Sequence, residues 1–411
     1  MHLLRDRSGA KHRRIFHRRK QRHDKPELAF SVHRKKAQLE FAVLPANAGN
    51  PAIRWLSSDA SIADVTGTGL VKGIAPGTAV ISAVSVDSPD KRGQCTVTVS
   101  NPPDFTETRA TASSDYTTPG GTAFRFILSP DIASGAVFPF GRRFINGGYE
   151  PERDVSVPTQ FMLADAETTY ELWKEVYDWA TDSERGAAVY SFADPGTMGG
   201  DNGGNIARTA KHPVGSVNWD DAIVWCNALT EYFNATNGAA EDLVCVHTSG
   251  GTVIRSSKDD AVCIAAECGS AAGGFRLPTT YEWEFAARYL GTQQPVTSYQ
   301  NYILSDGYYY QKDSTSGNVA YDGGSYYAVL SQPSTAEVRS KRPNFFGAYD
   351  MSGNVTEWCF DPGTMLSDKK IRILRGGGFR FMDETDDVGY ENCNYTTTVD
   401  MSYGFRIARN P

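Results

Sequence analysis

Across residues 121–411 the chain is rich in Gly, Tyr and Asn and nearly devoid of a sustained hydrophobic period. This constrains the fold more than any single motif, because a unit of that length without long helices or strands must hold its loops by other means. Three stretches depart from the pattern. Residues 168–177 open on a Thr cap and set Leu172, Trp173 and Val176 on one helical face; residues 220–233 follow an Asn218 cap and repeat Ala222, Trp225, Leu229 and Phe233. Residues 280–290 carry a Thr cap with Trp283, Ala286 and Ala287 turned inward. Short strands and loops make up the rest, and long loops in a compact unit carry function or are pinned, by a metal among other devices.

Residues 37–101 read differently. Leu39, Phe41 and Val43 alternate with other residues; Ile53 and Trp55, Val65, Leu70 and Val71, the run from Val80 to Val84, and Val97 with Val99 follow, separated by turn signals such as Ala75-Pro-Gly and Ser88-Pro-Asp. Short strands at this spacing imply a small β-sandwich with Trp55 in its core. The polar, proline-containing stretch 102–120 then reads as a linker.

Charge divides the chain. Residues 1–36 hold thirteen Lys and Arg against three acids, a net of +10; with −7 for the whole, residues 37–411 carry −17. A body this acidic repels phosphates and excludes nucleic acid as its main partner. The basic head 1–36 reads as a solvated, disordered arm able to touch anionic surfaces. It lacks the apolar stretch of a secretory signal, and no apolar run reaches the ~18 residues of a membrane span. The seven cysteines are an odd count without a Cys-x-x-Cys pair. They read as buried thiols, with one disulfide among Cys245, Cys263 and Cys268 left open.

Two resemblances organise these readings. Pro45-Ala-Asn-Ala, Trp55-Leu-Ser-Ser-Asp, Gly69-Leu-Val-Lys-Gly and Pro76-Gly-Thr-Ala-Val-Ile-Ser resemble the bacterial Ig-like group 2 module, a spacer on bacterial surface and virion proteins. The family's first strand is not legible in the basic head. Five runs in 121–411 resemble the formylglycine-generating (sulfatase-modifying factor) family, whose fold is an elaborated C-type lectin domain. They are His212-Pro-Val-Gly-Ser-Val-Asn-Trp, Gly274-Phe-Arg-Leu-Pro-Thr-Thr-Tyr-Glu-Trp-Glu, the run from Pro343 to Trp358, Leu374-Arg-Gly-Gly-Gly-Phe, and Tyr403-Gly-Phe-Arg. The resemblance implies an α+β C-type lectin fold behind an N-terminal all-β Ig-like sandwich. Within it, a buried ion pair between Arg276 and Glu282 or Glu284 could pin loops.

In that family the turn at 350–357 holds calcium. Carried over by position, the ligands are the Asp350 and Glu357 side chains and the Gly353 and Val355 carbonyls, an oxygen set suited to a hard cation. A second family site would start near Asn318 and Val319. The family's oxidases bind copper through two cysteines five residues apart after the Gly-Gly turn, since Cu(I) needs soft thiolates. Aligned on Arg375-Gly-Gly, those positions are Phe381 and Asp386. Outside the head the only histidines are His212 and His247, too few for the three-His iron centre of the related sulfoxide synthases. The chain therefore reads as no enzyme, and copper is not expected.

Residues 378–403 mix aromatic, acidic and amide side chains without a helical or strand period, a composition like that of an antibody paratope. The arrangement resembles the variable proteins of diversity-generating retroelements, in which adenines of AAY codons are randomised. The segment lacks Lys, Gln and Trp, which such codons cannot encode; Met382, Glu384, Glu391 and Met401 would be fixed. The resemblance implies exposed ligand contacts at Phe379, Arg380, Phe381, Asp383, Asp386, Asp387, Tyr390, Asn392, Asn394, Tyr395, Thr396, Thr397, Asp400, Ser402 and Tyr403. The reading is a surface or virion adhesin for a protein or glycan ligand on a cell surface. Its rivals are an oxidase with displaced cysteines and a structural decoration protein.

Overall fold

The computed structural model describes residues 29–31, 36–39, 41, 50–73, 77–99, 113–131, 137–141, 144–145, 148–149, 153–156, 158–203, 206–236, 243–269, 273–290, 302–303, 309–310, 327–363, 370–380 and 388–411. Two compact units part between residues 104 and 105.

The first unit has strands β1 (Ala29–Ser31), β2 (Lys36–Gln38), β3 (Ile53–Ser57), β4 (Ala63–Val65), β5 (Leu70–Gly73), β6 (Gly77–Ser85) and β7 (Arg92–Val99), in sheets ordered β1-β7-β6-β3 and β2-β5-β4. Ala79, Ile81 and Ala83 on β6 and Cys95, Val97 and Val99 on β7 alternate inward, and they close on Trp55, Leu39, Ala63 and Val71. This is the sandwich that the period-two pattern implies. One expectation is corrected. The module's first strand lies inside the basic head, with Ala29 opposite Thr96 in a parallel pair with β7. Its three residues are too few to show a period, and their partner fixes their conformation. Residues 1–28 lie outside the described residues.

In the second unit two four-stranded sheets are built from β8 (Ser113–Thr117), β9 (Ala123–Leu128), β10 (Met162–Ala164), β11 (Thr356–Pro362), β12 (Ile371–Arg375), β13 (Asn392–Tyr395), β14 (Tyr403–Gly404) and β15 (Ala408–Arg409), beside several shorter strand pairs. One sheet runs β15-β10-β9-β8, so the unit's first and last strands share it. The other runs β13-β12-β11-β14, with β14 parallel to β11. β8 lies in the stretch read as linker, which shortens that linker and starts the unit earlier. Its Tyr116 stacks on Phe124 at 5.3 Å between centroids.

Helix α1 (Tyr170–Ala180) is capped by Thr169, and α4 (Thr280–Arg288) by Thr279 in a reciprocal capping box with Glu282. Both starts are close to those the Thr caps predict. α2 (Trp219–Thr236) departs from a one-faced helix: even Asp220, Asp221, Asn227 and Thr230 are buried. A short helix, α3 (Asp260–Ile264), carries no sequence signal beyond its Asp259 cap.

The core is aromatic. Trp173 stacks on Trp225 at 5.6 Å, and Phe405 meets both rings edge-on. Buried indoles keep a partner: Trp219 Nε1 donates to Cys359 O at 2.9 Å and Trp358 Nε1 to Val217 O at 3.0 Å. Among the described residues no helix is long and apolar enough to cross a membrane.

Candidate functional site: the 378–403 face

Buried arginines hold the frame. Arg406 grips Glu357 with Nε and a terminal nitrogen, both at 2.6 Å, and donates to Ala164 O at 3.2 Å and Tyr349 O at 2.9 Å. Arg276 forks onto Glu282 through two 2.7 Å bonds. Arg375 bonds Glu284 at 2.6 Å, and the other oxygen of Glu284 accepts from Arg288 at 2.6 Å. Bidentate guanidinium–carboxylate pairs suit such dry sites, because each charge is neutralised and its polar atoms are partnered. The Arg–carboxylate pinning inferred from the sequence is thus present, distributed over Glu282, Glu284 and Glu357.

On this frame the backbone of the last segment is tied down repeatedly. Phe379 N donates to Asn354 O at 2.9 Å, and Phe379 O accepts from Gln332 N at 2.8 Å. Thr396 N reaches Lys370 O at 2.8 Å, and Thr396 O accepts from Trp219 N at 2.9 Å. Asp400 O accepts from Ser216 N at 3.1 Å, and Ser402 O from Thr356 N at 2.7 Å. Where the chain passes Met401 it comes so near that a Cβ on Gly200 or Gly215 would lie 2.4 or 2.6 Å from Met401 O. Only glycine allows that approach.

The side chains sort into three groups. Tyr395 (49% exposed) and Thr397 project, as expected of contacts. Arg380, Tyr390, Asn392, Asn394, Asp400 and Tyr403 are half-buried. Phe379, Thr396 and Ser402 are buried, which corrects their assignment as exposed contacts. The Phe379 ring packs close to Gly200, Thr396 Oγ1 donates to Asp260 at 2.9 Å, and Ser402 Oγ bonds Asp400 at 2.7 Å. Phe381, Asp383, Asp386 and Asp387 lie outside the described residues. Sequence reasoning missed Val399, 41% exposed and in step with Tyr395 and Thr397 on the outward side. The alternation of its neighbours was the only available signal.

At the turn expected to hold calcium, Asp350 has left-handed backbone (φ 54°) and is buried. Its Oδ2 accepts from Arg339 N at 2.9 Å, while Oδ1 is buried with no hydrogen-bond partner. Burial pushes this carboxyl up to about 6. The unsatisfied oxygen fits a cation ligand. Glu357 fits less well, because Arg406 takes both its oxygens and Trp283 Nε1 adds a 2.8 Å bond to Oε2. Glu167, which the sequence did not single out, lies close enough to feel the charges of both Asp350 and Glu357, yet among the described residues no three His, Cys, Asp or Glu side chains converge as a metal set. Its carboxylate accepts from Val355 N at 3.0 Å and Asn354 Nδ2 at 2.6 Å. Burial, then the charges of Asp350 and Glu357, raise it well above the usual carboxylate range. Asn318 and Val319 lie outside the described residues.

No disulfide joins any of the seven cysteines, all of them described residues, and Cys245, Cys263 and Cys268, among which the sequence leaves one open, form none. Burial pushes the Cys245 thiol up to about 12 and Cys268 to about 11, so neither is a ready nucleophile. Cys393 on β13 and Cys359 on β11 are separated by the intervening strand β12. Both histidines outside the head are core residues. His212 shares a 3.0 Å hydrogen bond with Thr335, and His247 stacks on Phe360 with burial depressing it to about 3.

Residues 31–97 match the bacterial Ig-like domain (group 2), and residues 108–411 match the sulfatase-modifying factor enzyme 1-like domain. Among proteins of known sequence, the chain is 27% identical over 215 residues to a chaperone protein, LppX, of Paenibacillus barcinonensis, covering 51% of this chain and 74% of that one. It is 25% identical over 319 residues to the formylglycine-generating enzyme of Thermomonospora curvata, covering 68% and 95%. Among solved structures it is similar to Treponema denticola variable protein 1, with 25% identity, a TM-score of 0.51, and coverage of 73% of this chain and 99% of that one. With the matched domain spanning most of its length, and the buried arginine frame built from that domain's own motifs, this chain belongs to the sulfatase-modifying factor enzyme 1-like family.

Proposed function

We propose that this chain is a non-catalytic ligand-binding protein, an adhesin or receptor-binding protein that recognises a protein or glycan on a cell surface through residues 378–403. The observation that carries the reading is the contrast within that face. Its main chain is bonded to the frame at Phe379, Thr396, Asp400 and Ser402, while Tyr395, Thr397 and Val399 project from it. A backbone fixed before binding lowers the ordering cost of association, and aromatic side chains give contact area with few rotors. The likeness to Treponema denticola variable protein 1 supports the reading. Residues 378–403 are then the diversified segment of a retroelement variable protein, carried on a bacterial surface or a phage virion. Calcium belongs to the proposal as a structural brace: Asp350 would hold it through Oδ1 with the Gly353 and Val355 carbonyls, sharing Glu357 with Arg406.

The likeness to formylglycine-generating enzymes favours a second reading, an oxidase. Against it stand Phe381 and Asp386, which offer no sulfur where copper needs two thiolates. One assay separates the two. The purified chain, loaded with Cu(I) and given a cysteine-containing peptide and oxygen, should convert none of it to formylglycine, and turnover would overturn the binding reading. In parallel, labelled chain is offered to panels of bacterial cells. Binding should be competed by unlabelled wild type and not by Tyr395→Ala/Thr397→Ala; equal competition by both removes the face from the account.

A further inference from the structure

Asn394 stands among the residues expected to touch ligand, yet its carboxamide oxygen is fully used inside the face and its nitrogen is held there as well. An amide oxygen has two lone pairs. Asn394 Oδ1 accepts from Tyr395 N at 2.9 Å and from Thr398 Oγ1 at 3.0 Å. Its Nδ2 donates to the Tyr403 hydroxyl at 3.2 Å, and the Tyr403 ring stands edge-on to the buried Trp358 at 5.5 Å. Thr398 N closes the turn onto Tyr395 O at 2.9 Å, and Thr396, at the centre of that turn, points its hydroxyl inward to Asp260 at 2.9 Å. The turn is therefore held from below by Thr396 and from the side by Asn394. Asp400 does the same for the returning chain, where Oδ1 accepts from Ser402 N at 2.8 Å and Ser402 Oγ at 2.7 Å.

We propose that Asn394 is a positioning residue: it locks the 395–398 turn and the Tyr403 hydroxyl together, and so presents Tyr395, Thr397 and Val399 as one rigid knuckle. The inference rests on the binding reading for its purpose, while its geometry can be tested without any ligand. It also divides the face. Substitutions at 395, 397 and 399 change what the face offers, whereas substitution at 394 changes how firmly the face is held. A knuckle fixed in this way loses less conformational freedom on binding.

The test is site-resolved amide hydrogen exchange by NMR on the full chain. In Asn394→Ala, exchange at the Tyr395 and Thr398 amides should rise on the order of tenfold as their local protection falls. The Thr396 amide, which donates to Lys370 O, should keep its wild-type rate. Asn394→Asp keeps the acceptor oxygens and loses only the donor to Tyr403, so it should retain protection at Tyr395. Wild-type exchange at Tyr395 in Asn394→Ala overturns the proposal, as does an equal rise along all of β13, which would make Asn394 a general structural residue. Should Asn394→Ala not fold, loss of Tyr395 protection in Asn394→Asp overturns it instead. Failure of ligand capture by the wild-type chain bears on the binding reading alone and leaves these exchange rates as they are.

Discussion

From inside the core, Arg375 donates to the main-chain oxygen of Tyr390 at 3.0 Å, so a fully buried guanidinium ties down the middle of the 378–403 segment. The same side chain reaches Thr280 Oγ1 at 2.7 Å and Glu284 at 2.6 Å, which couples the face to the start of α4. The segment joins that cluster through Glu391, which pairs with Arg375 at 3.3 Å, and carries a pair of its own between Arg380 and Asp400 at 3.4 Å.

Removing the Arg375 guanidinium takes a charged partner from Glu284, which keeps Arg288, and a donor from the Tyr390 carbonyl. Arg375→Met is expected to cost about 3–5 kcal/mol, the usual loss when one member of a buried pair is deleted. Arg375→Lys should recover little, because an ammonium cannot make the forked contacts. Urea unfolding midpoints of the two variants check this.

Tyr395 should behave in the opposite way. It is half exposed, so Tyr395→Ala should shift stability by less than about 0.5 kcal/mol while reducing ligand binding at least tenfold. Thermal melts and a cell-binding titration measured on the same sample separate the two effects.

Gly215 tests the pinning. A Cβ there meets Met401 O at 2.6 Å, and backbone cannot step aside cheaply. Gly215→Ala is expected to destabilise by roughly 1–3 kcal/mol and to displace the 400–402 chain, visible as changed amide shifts at Ser402.

Asp220 makes stability depend on pH. It is buried at the start of α2 with neither carboxylate oxygen partnered, and burial first, then Asp260 and Asp221, push it up to about 8 against the pull of Arg372. The folded state then holds a proton that the unfolded state gives up near the ordinary carboxyl value of ~4. Stability should fall as pH rises between those limits, by on the order of a few kcal/mol. Asp221 and Asp361, each raised to about 6, add to the slope in its lower part. Melting temperatures from pH 5 to 8.5 should decline in wild type, and Asp220→Asn should flatten the decline above pH 6.

If calcium braces the 350–357 turn, millimolar calcium should raise the melting temperature and a chelator should reverse it. A ligand at a hundred times its Kd stabilises by about 2.7 kcal/mol. Asp350→Asn should blunt the response, and an unchanged melt in both proteins would remove calcium from the account.

The parts legible in the sequence are those whose chemistry is local. The Thr169 and Thr279 caps, the alternation in β6 and β7, and the Arg276–Glu282 pair six residues apart all announce themselves within a turn or a strand. β8 does not, because its polar Ser-Ser-Asp-Tyr-Thr becomes a strand only against β9. Thr396 reads as exposed in the sequence because nothing nearby shows that its hydroxyl meets Asp260, which is 136 residues away. Glu167 escaped for the same reason, its partners at Asn354 and Val355 lying far along the chain.

β8, β9 and β15 share a sheet that holds none of the strands of residues 378–403, which lie in the other sheet with β11 and β12. Arg406 bridges the two, with one nitrogen on Ala164 O in the first sheet and its fork on Glu357 in the second. The backbone from Gly404 to Ala408 joins the same two sheets covalently, so the Arg406 fork is a further tie whose loss should let them slide against one another while the chain stays joined.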